Sequence, residues 1–317
     1  VCMYNSSMRK FYVKDNSGKV LLSKYITNIF PNLKKSVLYK SLRNKDIRVN
    51  NIKISNDILL NNNDLITIYI TDNLLFDLPK SLDYIYVDDN IIAVYKPQGL
   101  LSNIECYSGE NIDDYYSNIG GKEPTLEELV KKDYPNSKIC HRLDRNTAGI
   151  VIFANNNKTY DLLLEAFKKD YIKKEYIAYV SNSKFDKNSE TLEKYILKDS
   201  KTGYSIVYDN QVKDSQKIIT KYTVIEKNNK FDYAILSILI PTGKTHQIRA
   251  QMKQINHPLI GDPKYGRNEV NKKFKIYKQM LFAYKYTFNF PTNSSLEYLN
   301  NLTFKLDNSI YTKKLGE

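Results

Sequence analysis

Cys140-His141-Arg142-Leu143-Asp144-Arg145-Asn146-Thr147-Ala148-Gly149-Ile150-Val151-Ile152-Phe153-Ala154 is the stretch from which the fold of this chain is best read. A polar cluster runs straight into an apolar, β-branched run. The apolar run predicts a buried strand, and a loop that ends on such a strand is held firmly enough to fix a carboxylate. Thr147 and Gly149 suit a tight loop with close backbone packing. Taken alone, Asp144 between Arg142 and Arg145 reads two ways: a stabilising ion pair of the loop, or a carboxylate with chemistry to do.

Outward from this stretch, strands dominate. Residues 84–87 and 91–95 flank Asp88-Asp89-Asn90 and predict a hairpin. Residues 159–169 predict a helix with Leu162, Leu163, Ala166 and Phe167 facing inward. Residues 176–180, 221–226 and 233–240 predict further strands, and 247–254 a helix. Many strands with few helices between them point to an α+β domain over residues 83–317. Its sheet should be mixed and largely antiparallel rather than doubly wound.

Residues 71–82 hold Asp72, Asn73, Asp77 and Pro79 without a sustained period and predict a linker. Before it, residues 8–70 form a small basic unit. Leu22, Ile26, Ile29 and Phe30 recur at helical spacing before Pro31, and Ser36 is placed to cap a second helix carrying Val37, Leu38 and Leu42. Strand-like runs follow at 47–49 and 65–70. Residues 1–70 carry 12 Lys and Arg against 4 Asp and Glu, most of the excess in a chain whose net charge is +13. Lys34, Lys35, Lys40, Arg43, Lys45 and Arg48 form either a phosphate-binding face or a solvated helix surface.

The charge favours an acidic macromolecular partner, nucleic acid before an anionic membrane. Cys2, Cys106 and Cys140 are odd in number and widely spaced, which suits a reducing cytoplasm and argues against a disulfide framework or a thiolate zinc site. No apolar run is long enough to span a bilayer, and no charged-then-apolar leader opens the chain. Met3 and Met8 are candidate starts.

Two resemblances sharpen this reading. His141-Arg142-Leu143-Asp144, Thr147 and Gly149 resemble the signature of RluA-type pseudouridine synthases, with Ala148 where that family often has Ser. Three further segments agree in the family's order: Lys96-Pro97-Gln98-Gly99-Leu100, Lys174-Glu175-Tyr176, and a long motif. The long motif runs Thr242-Gly243-Lys244-Thr245-His246-Gln247-Ile248-Arg249, then His257-Pro258-Leu259-Ile260-Gly261-Asp262, then Tyr265-Gly266. The match spans about residues 83–290. Gln251 departs from a common His and is expected to be peripheral or to touch RNA. Residues 8–70 resemble the RNA-binding module named after small-subunit ribosomal protein S-four, through 45–51 and 63–68. Asn51 and Asn63 stand where that module usually has Gly, and Asn tolerates positive φ best among other residues.

The first resemblance implies isomerisation of uridine in RNA with no cofactor and no metal. Asp144 would be the catalytic carboxylate, Arg249 its partner, and Tyr176 the ring under the uracil. Arg142 would fill the space left by a flipped base. His141, Lys244, Lys34, Lys35, Arg43, Lys45 and Arg48 complete the expected RNA-contacting set. The extra N-terminal module tilts the target toward ribosomal RNA, with transfer RNA the alternative. A cytoplasmic monomer is expected. Two other readings stay open: a non-catalytic RNA-binding or ribosome-assembly protein on this fold, and a glycosidase using paired carboxylates. The latter needs a second acid, for which Asp262, read as a turn residue, is the only candidate in the motifs.

Overall fold

A computed structural model describes residues 8–14, 19–104, 112–199 and 202–316. Cys2, Cys106 and residues 1–7 lie outside them. The chain divides into two compact units, residues 1–81 with 109–125, and residues 82–108 with 126–317.

In the first unit, strands β1 (Arg9–Tyr12), β3 (Ile47–Val49), β4 (Ile52–Ile54) and β6 (Leu65–Ile68) form an antiparallel sheet in the order β1-β6-β3-β4. The short strands β2 (Val20–Leu21) and β5 (Leu59–Leu60) pair separately. Helix α1 (Leu22–Ile29) buries Leu22 and Ile26, and α2 (Lys35–Arg43) buries Leu38 and Leu42. Asn51 and Asn63 both take φ of 67°, the left-handed turns expected of them. Ser36 does not cap α2; Lys34 holds the N-cap position and makes no side-chain cap.

Residues 71–82 are not a plain linker. Asp72–Leu75 form one helical turn, α3, and Leu75 and Phe76 are buried in this unit's core. The unit also takes in α4 (Ile112–Ile119), whose Ile119 joins the same core. Arg9, 2 % exposed, ties these parts together. It donates to Asp72 Oδ1 (2.8 Å), Ile119 O (3.1 Å) and Lys122 O (2.6 Å).

The second unit is built on one 11-stranded sheet. Its strands are β7 (Asp83–Val87), β8 (Ile91–Lys96), β9 (Lys138–Ile139), β10 (Ala148–Ala154), β11 (Ile172–Ser181), β12 (Ser189–Lys198), β13 (Ser205–Tyr208), β14 (Gln216–Asn228), β15 (Tyr233–Leu239), β16 (Leu281–Phe288) and β17 (Thr303–Lys305). The main order is β13-β12-β14-β15-β11-β16-β10-β8-β7, with β17 beside β16 and β9 beside β10. Every pairing is antiparallel except β10 with β16. The α+β class and the mixed, mostly antiparallel sheet are as expected.

Strand β10 is buried at every position, as its apolar run requires. Gly149 sits where β10 meets β16: a Cβ there would lie 2.5 Å from Ala283 O. Helix α5 (Leu126–Asp133) buries Leu126, Leu129 and Val130, α6 (Asn157–Lys168) buries Leu163 and Ala166, and α7 (Gln247–Gln254) is buried along six of its residues. Asn156 caps α6 by accepting from Thr159 N. Helices α8 (Asn268–Phe274) and α9 (Asn308–Tyr311) complete the unit. Among the described residues, no helix is long and apolar enough to cross a membrane.

Candidate active site

The loop before β10 is tied down by main-chain acceptors. Lys96, fully buried at the end of β8, donates its ammonium to Pro97 O, Leu100 O and Arg145 O at 2.7–3.0 Å. Gly99 N also donates to Arg145 O (2.8 Å). Ser102 Oγ donates to Leu143 O and accepts from Leu143 N. Thr147 N donates to Asp144 O, closing a tight turn, and Gln279 Nε2 donates to Thr147 Oγ1. The Lys-Pro-Gln-Gly-Leu segment and the Asp144 loop are thus one hydrogen-bonded assembly.

Arg249 approaches from the first turn of α7. His246 precedes that helix in the left-handed region, with φ of 59°. Arg249 is 5 % exposed. Its Nε and Nη2 donate to the two oxygens of Asp262 (2.7 and 2.9 Å), and its Nη1 donates to Asp144 Oδ2 (2.8 Å). Asp262 is completely buried, and its Oδ1 also accepts from Lys264 N and Tyr265 N. It is therefore a turn residue, as read from sequence, and also the clamp on Arg249. The segment that carries it is anchored on β11 through Ile260 N to Tyr179 O and a Val180–Leu259 bridge.

Asp144 keeps its side chain 28 % exposed. Burial pushes its carboxyl up, but the charge of Arg249, helped by His246 and Arg142, outweighs burial and holds it below the ordinary 3.8. Tyr176 lies on β11 at a register shift between Glu175 and Tyr176. It is 6 % exposed, and burial together with the negative charge of Asp144 pushes its phenol well up, so it stays protonated at neutral pH.

The three histidines serve the frame. His141 Nε2 accepts from Ile152 N (3.0 Å), and its ring packs on Phe167. Burial, then the charge of Lys174, push its pKa down to about 3. The Tyr265 hydroxyl accepts from Ser205 N (2.6 Å) and shares a hydrogen bond with His246 Nδ1 (2.9 Å). His246 Nε2 lies 3.9 Å from Asp144 Oδ2. Burial keeps His246 neutral, with a pKa pushed down to about 4. His257 stacks on Phe185 at 3.6 Å.

Asp144, Tyr176, Arg249, Arg142, His141 and Lys244 all line one cleft of about 880 Å³. Arg142 Nη2 donates to Thr245 Oγ1 (3.3 Å). Lys34, Lys35, Arg43, Lys45 and Arg48 belong to the first unit. There Lys34 pairs with Asp77 (2.7 Å), Arg48 lies over the Tyr69 ring, and Lys35, Arg43 and Lys45 are exposed. Gln251 is fully buried and donates to Leu192 O, so it packs beneath the site and does not reach RNA. The clamp role of Asp262 and the cleft-lining Lys174 went unread in the sequence. Asp262 carried a usable signal, since an acid thirteen residues beyond an arginine in one motif is a candidate partner.

An ionised carboxylate held by one guanidinium arm, beside a protonated phenol in a partly closed cleft, can attack or stabilise an electron-poor carbon, or take a proton from it. The RNA pseudouridylate synthase family model matches residues 90–254. An uncharacterized RNA pseudouridine synthase of Mycoplasma capricolum is 31 % identical over 315 residues, covering 93 % of this chain and 96 % of its own length. Ribosomal large subunit pseudouridine synthase C of Rickettsia conorii is 31 % identical, covering 83 % and 86 %. The solved structure of human RNA pseudouridylate synthase domain containing 1 shares the fold, with a TM-score of 0.53 at 21 % identity over 68 % of this chain and 83 % of that one. The chain thus belongs to the RNA pseudouridylate synthase family, as an isomerase of the RluA type that converts uridine in RNA to pseudouridine.

Proposed function

We propose that Asp144 is the essential carboxylate of this isomerisation and that the target lies in large-subunit ribosomal RNA. The observation that carries the first part is the 2.8 Å contact from Arg249 Nη1 to Asp144 Oδ2, at the only one of Arg249's two carboxylate partners that faces the cleft. Pseudouridine formation breaks the N1–C1′ bond, turns the uracil and rejoins it through C5. The product is an isomer, so no redox partner or group donor enters. Asp144 acts at the sugar, as nucleophile at C1′, as stabiliser of oxocarbenium character, or as base. Tyr176 stacks beneath the uracil, and its protonated hydroxyl is suited to the proton traffic at C5. A stacked uridine is out of reach, so the base is flipped, and Arg142 at the cleft mouth fills the space it leaves.

Names of relatives such as the Rickettsia conorii enzyme support a ribosomal target. The exposed cations of α2 and the turn after it support an RNA-contacting role for the first unit, with His141 and Lys244 contacting RNA at the cleft. A cytoplasmic monomer fits a ribosomal RNA modifier with three unpatterned cysteines. Mapping pseudouridine in total RNA from cells lacking the protein, then restored with wild type or Asp144→Asn, tests the proposal. One or more ribosomal positions should return with wild type and stay blank with the variant. Modification by the variant would overturn the role of Asp144, and return of a transfer RNA position alone would move the target.

A further inference from the structure

Two lysines of the second unit are buried, and they differ in a way that points to chemistry. Lys96 is enclosed but spends its ammonium on three carbonyl oxygens. Lys174 is 6 % exposed, and among the described residues its ammonium makes no hydrogen bond or ion pair, although its carbonyl accepts from Ile240 N. Its surroundings are the face of Phe167, 5.6 Å from its Nζ, the neutral ring of His141, and Asp170, whose charge reaches it without an ion-pair contact. Drawing an ammonium out of water without a hydrogen-bond acceptor is costly, and the Phe167 ring face and the Asp170 charge offset only part of that cost. Lys174 lines the cleft that holds Asp144. It also stands two residues from Tyr176 on the same buried face of β11, about 7 Å along the strand and within a lysine's reach.

We propose that Lys174 is a catalytic cation that stabilises the negative charge of the detached uracil. The inference rests on the reading that this cleft holds the flipped uridine against Tyr176. When the N1–C1′ bond breaks, the bonding pair leaves with N1. The uracil then carries negative charge over N1, O2 and O4 until C5 bonds to C1′, and Lys174 keeps its proton throughout. A cation waiting in a partly dehydrated pocket is worth most where charge develops during the reaction. Its depth argues for the base over a phosphate. Phosphates are strongly hydrated and sit at a cleft mouth, where Arg142 and Lys244 are exposed.

The test uses total RNA from cells lacking the protein, with wild type, Lys174→Met, Lys174→Gln and Asp144→Asn compared under single-turnover conditions. Both Lys174 variants should lose about 10²-fold in rate, the scale of removing one preorganised electrostatic group, while RNA affinity stays within about twofold. Lys174→Met should also melt at a higher temperature than wild type, because an unpartnered buried charge is gone; a lysine that served the fold would give the opposite sign. A rate within about threefold of wild type in either variant, a lowered melting temperature, or a loss confined to RNA affinity would each overturn the proposal. An active wild type with unaffected Lys174 variants brings down this inference alone. An inactive wild type, or an active Asp144→Asn, brings down the reading of the cleft and this inference with it.

Discussion

Arg9 in the first unit and Arg249 in the second are both nearly enclosed, and both are gripped by a buried aspartate. Arg9 donates within its own unit, to Asp72, Ile119 O and Lys122 O. Arg249 gives two arms to Asp262 and sends the third to Asp144, whose side chain is 28 % exposed. The same pair of residue types thus closes one core and, elsewhere, carries charge from a core to a cleft. A buried ion pair is poor evidence of stabilisation by itself, because desolvation opposes the Coulomb gain. What separates the two is whether a donor is left over for the cleft after the buried carboxylate is satisfied.

Replacing each buried acid tests that distinction most severely. Asp72→Asn leaves the buried Arg9 guanidinium without its charge partner and should cost about 3–5 kcal/mol of stability, read by denaturant unfolding, whereas Asp262→Asn leaves Arg249 its contact with Asp144 and should cost less. The variants should part company in the surviving folded protein. Asp262→Asn should slow single-turnover pseudouridine formation by at least about tenfold, because Arg249 no longer holds Asp144 in place, while Asp72→Asn leaves that rate unchanged. Equal rates in the two variants would break the comparison.

A smaller effect is expected on the surface. Lys35, Lys40 and Arg43 are exposed cations of α2. Replacing all three with Gln should weaken RNA binding and flatten its salt dependence by about one unit of slope for each phosphate no longer neutralised, with little change in rate at saturating RNA. An unchanged slope would remove these residues from the interface.

The mildest test is acidification. His141 and His246 are held neutral by burial, with pKa values pushed down from 6.5 to about 3 and about 4. Between pH 6.5 and about 4 the unfolded chain binds protons that the folded one refuses, so stability falls as pH falls through that window. Melting temperature should drop from pH 7 to pH 5, and less steeply in His246→Gln. A flat profile in the wild type would contradict the buried, neutral assignment.

Much of the sheet was legible because its central strands announce themselves. The run at β10, the β7–β8 hairpin and the apolar face of α6 are local patterns with local causes. Strand β12, Ser-Glu-Thr-Leu-Glu-Lys-Tyr-Ile-Leu-Lys, was not legible. Its Leu, Glu and Lys favour helix, and pairing with β14 on one side and β13 on the other makes it a strand. The linker reading of 71–82 failed for a related reason: Leu75 and Phe76 lack a periodic context, but the first unit's core needs them. Asp144, Tyr176 and Arg249 were legible through ordered motifs, whereas the clamp of Asp262 depended on a turn whose neighbours come from other strands.

The sequence by itself determined which chemical groups are available and that Asp144 ends a loop on a buried strand, because motif order and hydrophobic pattern are properties of neighbours along the chain. Only the tertiary structure decided how those groups are used. It brings Arg249 to an aspartate 105 residues away, fills two of its arms with Asp262, satisfies Lys96 completely and, among the described residues, leaves the Lys174 ammonium without an acceptor. Charge is written in a residue's identity, but its partners and its exposure to water are set by the packing of distant strands.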